Sequence, residues 1–129
     1  MTLSRLACLV AGIFLLGAAP VLADCLDQPG PCKITTGEYH IVRPAGVSGD
    51  VPAVMFLHGY GSNGAETMKN TGMVDAILAR GYAVIAPSGR AADGGEGKEW
   101  SFNPDWPETR DETVFFYGLC LTMLGRNTG

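Results

Sequence analysis

The sequence predicts an α/β fold whose sheet is mostly parallel. Two continuous apolar runs, at 53–57 and 82–87, lack polar alternation, which is typical of strands covered on both faces. Between them lies a segment whose apolar residues recur at helical spacing. Strand, helix and strand at this spacing form a βαβ unit, and the crossover of such a unit is right-handed. We therefore expect this unit to form the centre of the fold.

Composition and charge indicate an ordinary globular protein with one domain. The chain has 129 residues, of which 47% are hydrophobic and 17% charged. Its formal charge is −4 and its basic residues are scattered. This charge pattern argues against nucleic acid and against an anionic membrane surface as partners, so it favours an uncharged one.

Residues 1–23 are predicted to be a signal peptide. A single basic residue, Arg5, precedes an apolar stretch, and 21–23 read VLA, the small-residue pattern of a cleavage site. A membrane anchor is the alternative, because the uncharged span 6–23 has 18 residues, near the lower limit for crossing a bilayer. Pro20 and the small residues after it favour cleavage. We expect export to the periplasm or the medium, with no membrane partner after cleavage.

Export places the remaining cysteines in an oxidising compartment. Cys25 and Cys32 flank a turn-rich loop, and we predict a disulfide between them. Closing so short a loop is worth about 2–3 kcal/mol. A metal site is the alternative, but neither His40 nor His58 lies at ligand spacing from the two thiols. Cys120 remains unpaired.

The elements follow in order along the mature chain. Alternation over 37–44 predicts a short strand, and 53–57 is the first continuous strand. A helix is expected to begin at Asn63 or Asn70, either of which is a suitable N-cap. Asn63 also forms a capping-box pattern with Glu66.

Gly81 stands where a helix C-cap belongs, and the second continuous strand follows it. The segment 88–108 is a long irregular excursion of the kind that is usually functional or mobile, and its aromatic residues predict that it packs down. Thr109 and Glu112 form a second capping-box pattern, which predicts a helix through 114–119. The aromatic residues of the excursion are Trp100, Phe102 and Trp106.

The first continuous strand runs into the glycine-rich stretch 58–64, HGYGSNG. In parallel α/β sheets, ligands lie beyond the carboxyl ends of the strands, and glycines let backbone N–H groups approach them. Such an N–H stabilises a developing oxyanion, and losing one donor costs about 10²–10³ in rate. A phosphate loop is disfavoured, since the sequence has neither GxGxxG nor a P-loop motif. A tight turn without chemistry is the remaining alternative.

Three stretches together carry a family resemblance: LHGYGSNG at 57–64, GYAVIAPSG at 81–89 and EWSFNPD at 99–105. From about residue 25 to about 116 the chain resembles the N-terminal part of the polyhydroxybutyrate depolymerase and feruloyl-esterase-like α/β-hydrolases. The resemblance implies an α/β-hydrolase fold and an exported serine carboxylic-ester hydrolase. The implied substrate is a hydroxyalkanoate oligomer or an aryl ester, and no cofactor is implied. It places the backbone oxyanion hole on Gly59 and Tyr60, with His58 and Gly61 supporting the motif.

The catalytic residues of that family are not found in this sequence. The nucleophile is the Ser of a GxSxG elbow, and no GxSxG occurs in the 129 residues. Ser62, Ser88 and Ser101 do not sit at an elbow, and His40 fits no triad order. The acid and the catalytic His follow the Ser in the family. We therefore expect 24–116 to be the N-terminal portion of a hydrolase domain, truncated before the elbow and inactive alone.

The tail 117–129 departs from the family pattern. Gly118 and Gly125 weaken any helix there, and Cys120 falls in the same part. A frameshift or premature stop near residue 116 explains these features, as does a genuinely shortened protein. Without the nucleophile strand, one edge of 53–57 is left uncovered. We therefore expect the isolated chain to fold poorly and aggregate.

Two other functions are alternatives to the hydrolase. One is a non-catalytic exported module that binds a ligand or polymer by stacking on Trp100 and Trp106. The other is a metal-dependent enzyme using Asp93, Glu96 and Glu99. That acidic cluster lacks a His and has the character of a solvated loop, so we expect no metal site.

Overall fold

A computed structural model of the chain describes residues 25, 30–91, 97–102, 104–105, 108 and 110–124. The predicted signal peptide, at 1–23, lies outside these residues. None of the helices in the described part of the chain has the length and apolar character that a membrane span requires. In chain order the elements are β1 (Cys32–Ile34), β2 (Gly37–Val42), β3 (Ala53–Met55), α1 (Gly64–Met68), α2 (Thr71–Leu78), β4 (Ala83–Pro87), β5 (Arg90–Ala91), β6 (Lys98–Glu99) and α3 (Glu112–Met123).

Four strands form a mixed sheet in the order β1-β2-β4-β3. β3 and β4 are parallel, with Met55 opposite Ile85. On its other side β4 pairs antiparallel with β2, with Ile41 opposite Ile85. The described sheet is therefore mixed, where a mostly parallel one was expected. The reason is local: β1 and β2 are joined by a two-residue turn at 35–36, and so short a link connects only antiparallel strands.

Two short helices connect β3 to β4, where a single helix was expected. Asn63 and Asn70 both act as N-caps, accepting hydrogen bonds from the backbone N–H groups of Glu66 (3.0 Å) and Met73 (3.2 Å). Glu66 does not complete a capping box, because its carboxylate pairs with Lys69 at 2.6 Å. The chain leaves α2 through Gly81, whose φ of 82° is in the left-handed region that ends helices.

The core lies on both faces of β4, all five residues of which are buried. On one face Ile85 packs with Cys32, Tyr39 and Leu119, the last of these from α3. On the other face Val84 packs with Val42 of β2 and Val74 of α2. The sulfur atoms of Cys25 and Cys32 lie at disulfide distance beside the first of these clusters.

The expectation that 53–57 is buried on both faces is wrong. Met55, Phe56 and Leu57 are 36%, 42% and 40% exposed. The cause is position in the sheet, because β3 lies at its edge and has β4 as its neighbour among the described strands. β3 therefore has one edge without a neighbour among the described strands.

The last helix differs from its prediction at both ends. Its N-cap is Asp111, whose carboxylate accepts from the Val114 N–H at 3.0 Å, and Thr109 lies outside the described residues. The helix continues through Gly118 to Met123, so the weak helix expected over 117–123 is not found. Packing accounts for this, because Phe115 and Leu119 are fully buried against the sheet. Gly125 lies outside the described residues.

Candidate functional site

The candidate site is the loop that joins β3 to α1. The Phe56 N–H continues the pairing with β4 by donating to Ile85 O at 2.8 Å. The chain then turns, with Ser62 N–H donating to Gly59 O at 3.1 Å and Gly61 adopting a φ of 78°. Because β3 and β4 are parallel, this loop emerges at the same edge of the sheet as the segment after β4.

His58 fastens the loop to the segment after β4. It is 4% exposed, and its Nε2 accepts from the Gly89 N–H at 2.9 Å. Its Nδ1 lies 2.7 Å from Gly59 O. An accepting Nε2 assigns the proton to Nδ1, so the ring is the neutral tautomer that donates to Gly59 O. Both ring nitrogens are engaged, which leaves neither to act as a base on a substrate.

Trp100 covers His58 from the segment 97–102, called the aromatic loop below. Its indole Nε1–H donates to His58 O at 2.9 Å, and its ring centroid lies 4.8 Å from that of the imidazole. The Trp100 ring also stacks with Phe102 at 6.0 Å and Phe116 at 5.8 Å, and the Arg110 guanidinium carbon lies 5.7 Å from its centroid. Trp100 therefore supports the loop, while Trp106, the other tryptophan considered for ligand stacking, lies outside the described residues.

The two residues assigned to the oxyanion hole lie at the exposed tip of the loop. Among the described residues the structure gives no hydrogen-bond acceptor to the Gly59 N–H. A Cβ at Gly59 would meet nothing within 4 Å, so the space around it is open. The Tyr60 side chain is 70% exposed. By contrast, the Gly61 N–H is used within the fold, since it donates to Lys98 O at 3.0 Å.

The base of the loop packs tightly on the end of β4. The Gly64 N–H donates to the Ser88 hydroxyl at 3.1 Å, and a Cβ at Gly64 would collide with Ala86 O. Ser88 is 1% exposed, so its hydroxyl has a structural use here. The Ser101 hydroxyl likewise accepts from the Arg110 N–H at 3.3 Å. Both hydroxyls are therefore used within the fold.

A buried ion pair beside the site was missed by the sequence analysis. Arg110 Nη2 lies 2.7 Å from Glu112 Oε2, and the two side chains are 6% and 5% exposed. Arg110 also donates to Ser88 O at 3.3 Å and to Thr36 O at 3.4 Å. Glu112 accepts from the Ser101 N–H at 3.1 Å. This pair, called the Arg110–Glu112 clamp below, ties α3 to the aromatic loop and to the end of β4.

A second, half-buried ion pair perturbs a carboxylate near the site. Lys98 Nζ lies 2.5 Å from Glu38 Oε1, and this hydrogen bond holds the pKa of Glu38 below its ordinary value. Burial raises the pKa of the neighbouring Tyr39. Within the described ranges no three His, Cys, Asp or Glu side chains lie close enough to hold a metal ion, and Asp93 and Glu96 fall outside those ranges.

Comparison with known protein families, with curated proteins and with solved structures gave no match.

Proposed function

We propose that the chain is the N-terminal part of an exported serine carboxylic-ester hydrolase. In this proposal the loop after β3 supplies half of the oxyanion hole. The observation that carries it is the Gly59 N–H, a backbone donor without an acceptor among the described residues, at the carboxyl edge of a parallel strand pair. Position and available donor are the two requirements for stabilising an oxyanion there.

The strand order supports the same proposal. In the hydrolases that the motifs resemble, the strand ending in His-Gly lies between the strand after the crossover helix and the nucleophile strand. Here β3 pairs with β4 on one side. The other side of β3 is the place that a nucleophile strand would occupy, and that segment would bring the Ser, followed by the acid and the His.

The residues present would then have distinct tasks. The Gly59 and Tyr60 backbone N–H groups would donate to the oxyanion as a Ser attacks the ester carbonyl. His58 is a positioning residue, because its two ring hydrogen bonds fix the loop between Gly59 O and Gly89 N–H. Trp100 holds the start of the loop, because its indole N–H donates to His58 O. The substrate would be a hydroxyalkanoate oligomer or an aryl ester, and the chain of 129 residues would be inactive by itself.

The first test is to read the gene beyond the codon for Gly129 in all three frames. We expect one frame to encode GxSxG within about 40 residues, followed by an Asp and a His in family order. The protein made by joining the two reading frames, called the joined protein below, should hydrolyse p-nitrophenyl butyrate and react with a fluorophosphonate probe. The 129-residue chain should do neither. Absence of the motif from every frame would contradict the proposal.

The second test addresses the loop in the joined protein. Gly59→Pro removes the N–H and should lower kcat by about 10²–10³. Gly59→Ala keeps the N–H and places its Cβ in open space, so it is the matched control and should retain most activity. Thermal unfolding of both variants separates loss of the donor from loss of the fold. Equal activities at equal stability would rule out Gly59 as an oxyanion donor.

The alternative, a non-catalytic binding module, is favoured by one feature only. Phe102 is 57% exposed while stacked on Trp100, so it offers an aromatic surface to a ligand. Saturable binding of an oligomer by the 129-residue chain, weakened by Phe102→Ala and without turnover, would favour this function.

A further inference from the structure

The His58 ring fastens the loop 58–64 to the segment after β4, and it can do so only while the ring is neutral. Its Nε2 accepts from the Gly89 N–H at 2.9 Å, which requires an unshared electron pair on that nitrogen. A proton on Nε2 would place one N–H donor against another. Because the side chain is 4% exposed, such a donor is left without water, at a cost of about 1–3 kcal/mol.

The aromatic loop closes over the same loop through groups that do not titrate near neutral pH. The Gly61 N–H donates to Lys98 O at 3.0 Å. The Trp100 indole N–H donates to His58 O at 2.9 Å. A Cβ at Gly97 would lie 2.7 Å from Gly61 Cα, so the two loops are in direct contact. Of these contacts and that of Nε2, the imidazole contact is the one whose donor and acceptor roles change between about pH 5 and pH 8.

The charged groups around the ring affect the pH of this change but not its direction. The described titratable residues on the loop, after β4, on the aromatic loop and behind the Trp100 ring are Tyr60, Arg90, Lys98, Glu99, Arg110 and Glu112. Each cation among them has a carboxylate as ion-pair partner or opposite it in the strand register. Both imidazole nitrogens contact backbone groups instead of these carboxylates. No arrangement of charges lets a protonated Nε2 accept from the Gly89 N–H.

We propose that protonation of His58 opens the loop 58–64 and so inactivates the site in acid. The closed loop binds the neutral ring, whereas the open loop accepts a proton on Nε2. The closing equilibrium is therefore fully favourable at high pH and weakens by up to about tenfold per pH unit in acid. In the open form the Gly59 N–H is no longer held at the carboxyl edge of β3 and β4. The loss of catalysis rests on the proposed function, while the opening itself does not.

The experiment is an NMR titration of the ¹⁵N-labelled 129-residue chain from about pH 7.5 to pH 4.5, following histidine ring nitrogens and amide protection factors. The chain has two histidines, so the ring signals are few. As the His58 ring gains its proton, the protection factors of the Gly61 and Gly89 amides should fall together by about tenfold or more. The Ala83 amide, which donates to Pro52 O in the sheet, should keep its protection.

Three results of this titration would overturn the inference. The His58 ring could gain a proton while the Gly61 and Gly89 amides stay protected. The ring could stay neutral and the loop closed down to the end of the titration. Finally, the Ala83 amide could lose its protection at the same pH as the loop amides, which would show unfolding of the sheet in place of opening of the loop.

Variants of the two histidines assign the change to one ring. In His58→Gln the amide oxygen can accept from the Gly89 N–H and does not titrate, so protection of the loop amides should not depend on pH. His40→Gln is the matched control, because His40 lies in β2 opposite Ala86, and it should keep the wild-type pH dependence. An unchanged pH dependence in His58→Gln, or its loss in His40→Gln, would contradict the assignment. A spectrum without dispersed amides at pH 7.5 would show that no closed loop forms and would also overturn the inference.

These measurements need no catalysis, so they are separate from the tests of the proposed function. A loop that opens in acid, in a chain whose gene encodes no GxSxG in any frame, would leave this inference standing while the proposed function fails. A joined protein with esterase activity and a loop that stays closed in acid would give the opposite result.

Discussion

β3 and β4 are adjacent, parallel and similar in sequence, yet they differ in burial. Each belongs to a continuous apolar run without polar alternation. β4 is buried at all five positions, whereas Ala53 and Met55 of β3 are exposed. Met55 and Ile85 lie opposite each other in the register and are 36% and 4% exposed.

The difference shows that burial of a strand depends on its neighbours more than on its own residues. β4 has a strand on each side, α2 on one face and α3 on the other. Its carboxyl end is also held by Ser88 N–H donating to Glu38 O and by Arg110 donating to Ser88 O. β3 shares one of its edges with β4 and leaves the other uncovered among the described strands. An apolar run therefore indicates that a strand is suited to burial. It does not show that neighbouring strands and helices bury it.

The largest effect is expected at the clamp that holds the end of β4. Glu112→Gln leaves the Arg110 charge buried without its counterion and should lower the free energy of unfolding by about 3 kcal/mol. Glu66→Gln breaks the exposed pair with Lys69 and should change it by less than about 0.5 kcal/mol. Urea unfolding followed by circular dichroism measures both. Similar losses in the two variants would show that the clamp does not stabilise β4.

Met55 and Ile85, which lie opposite each other in β3 and β4, provide the next largest effect. Ile85→Ala removes buried side-chain volume from the centre of the sheet and should cost about 2–4 kcal/mol. Met55→Ala, across the same pair of strands, should cost less than about 1 kcal/mol because its side chain is already partly in water. The same unfolding assay applies. If Met55→Ala is as costly as Ile85→Ala, β3 is covered in solution.

The exposed edge of β3 should affect association between chains more than it affects the free energy of unfolding. Met55→Lys places a charge on β3 and should slow aggregation severalfold, since a lysine on an edge strand opposes pairing with another chain. The free energy of unfolding should shift by no more than about 0.5 kcal/mol. Val47→Lys, at an exposed loop position, adds the same charge away from the edge. Light scattering at matched protein concentration compares them, and equal slowing by both would attribute the effect to net charge alone.

The smallest effect is expected at Glu38 in β2, the strand that pairs with β4 on the side away from β3. The hydrogen bond from Lys98 lowers the pKa of Glu38 in the folded state, so the unfolded state binds the proton more readily. The contribution of Glu38 is thus present above the unfolded value of about 4.5 and is lost as pH falls through the folded pKa. Both side chains are 32% exposed, which keeps the effect small.

The measurement for this carboxylate is the urea midpoint between about pH 6 and pH 3. Glu38→Gln should flatten the acid part of the profile relative to the wild-type chain. Glu66→Gln removes a carboxylate of the same kind from an exposed pair and serves as its control. A profile that keeps its slope after Glu38→Gln would assign the acid sensitivity to other groups.

Features set by near neighbours in the chain were predictable from the sequence. Both Asn63 and Asn70 cap helices, because a cap needs only the backbone of the next turn. Gly81 adopts a positive φ for an equally local reason. The exposure of β3 was not predictable, since it depends on which strands lie beside it. In the last helix, Glu112 fitted a local capping pattern, but its actual partners are Arg110 and the Ser101 N–H.

The candidate site likewise has features that the sequence predicts and features that it does not. Its location at 58–61 follows from the motif, because a glycine-rich turn after an apolar strand has a fixed place at the sheet edge. Which of its donors remain available does not follow from the motif. The Gly61 N–H is taken by Lys98 O and the His58 ring by the Gly89 N–H, and both partners come from distant parts of the chain. No signal in the sequence assigned the Arg110–Glu112 clamp.

The strand order also has a consequence for protein synthesis. One of the two interior strands of the four-stranded sheet, β4, is the last of the four in the chain. A nascent chain that ends before residue 83 can form the β1–β2 hairpin, but β3 has no described strand to pair with until β4 leaves the ribosome. The sheet therefore cannot grow strand by strand from its N-terminus. It is completed in one step, when β4 inserts between β2 and β3. The apolar strand at 53–55 stays unpaired until then.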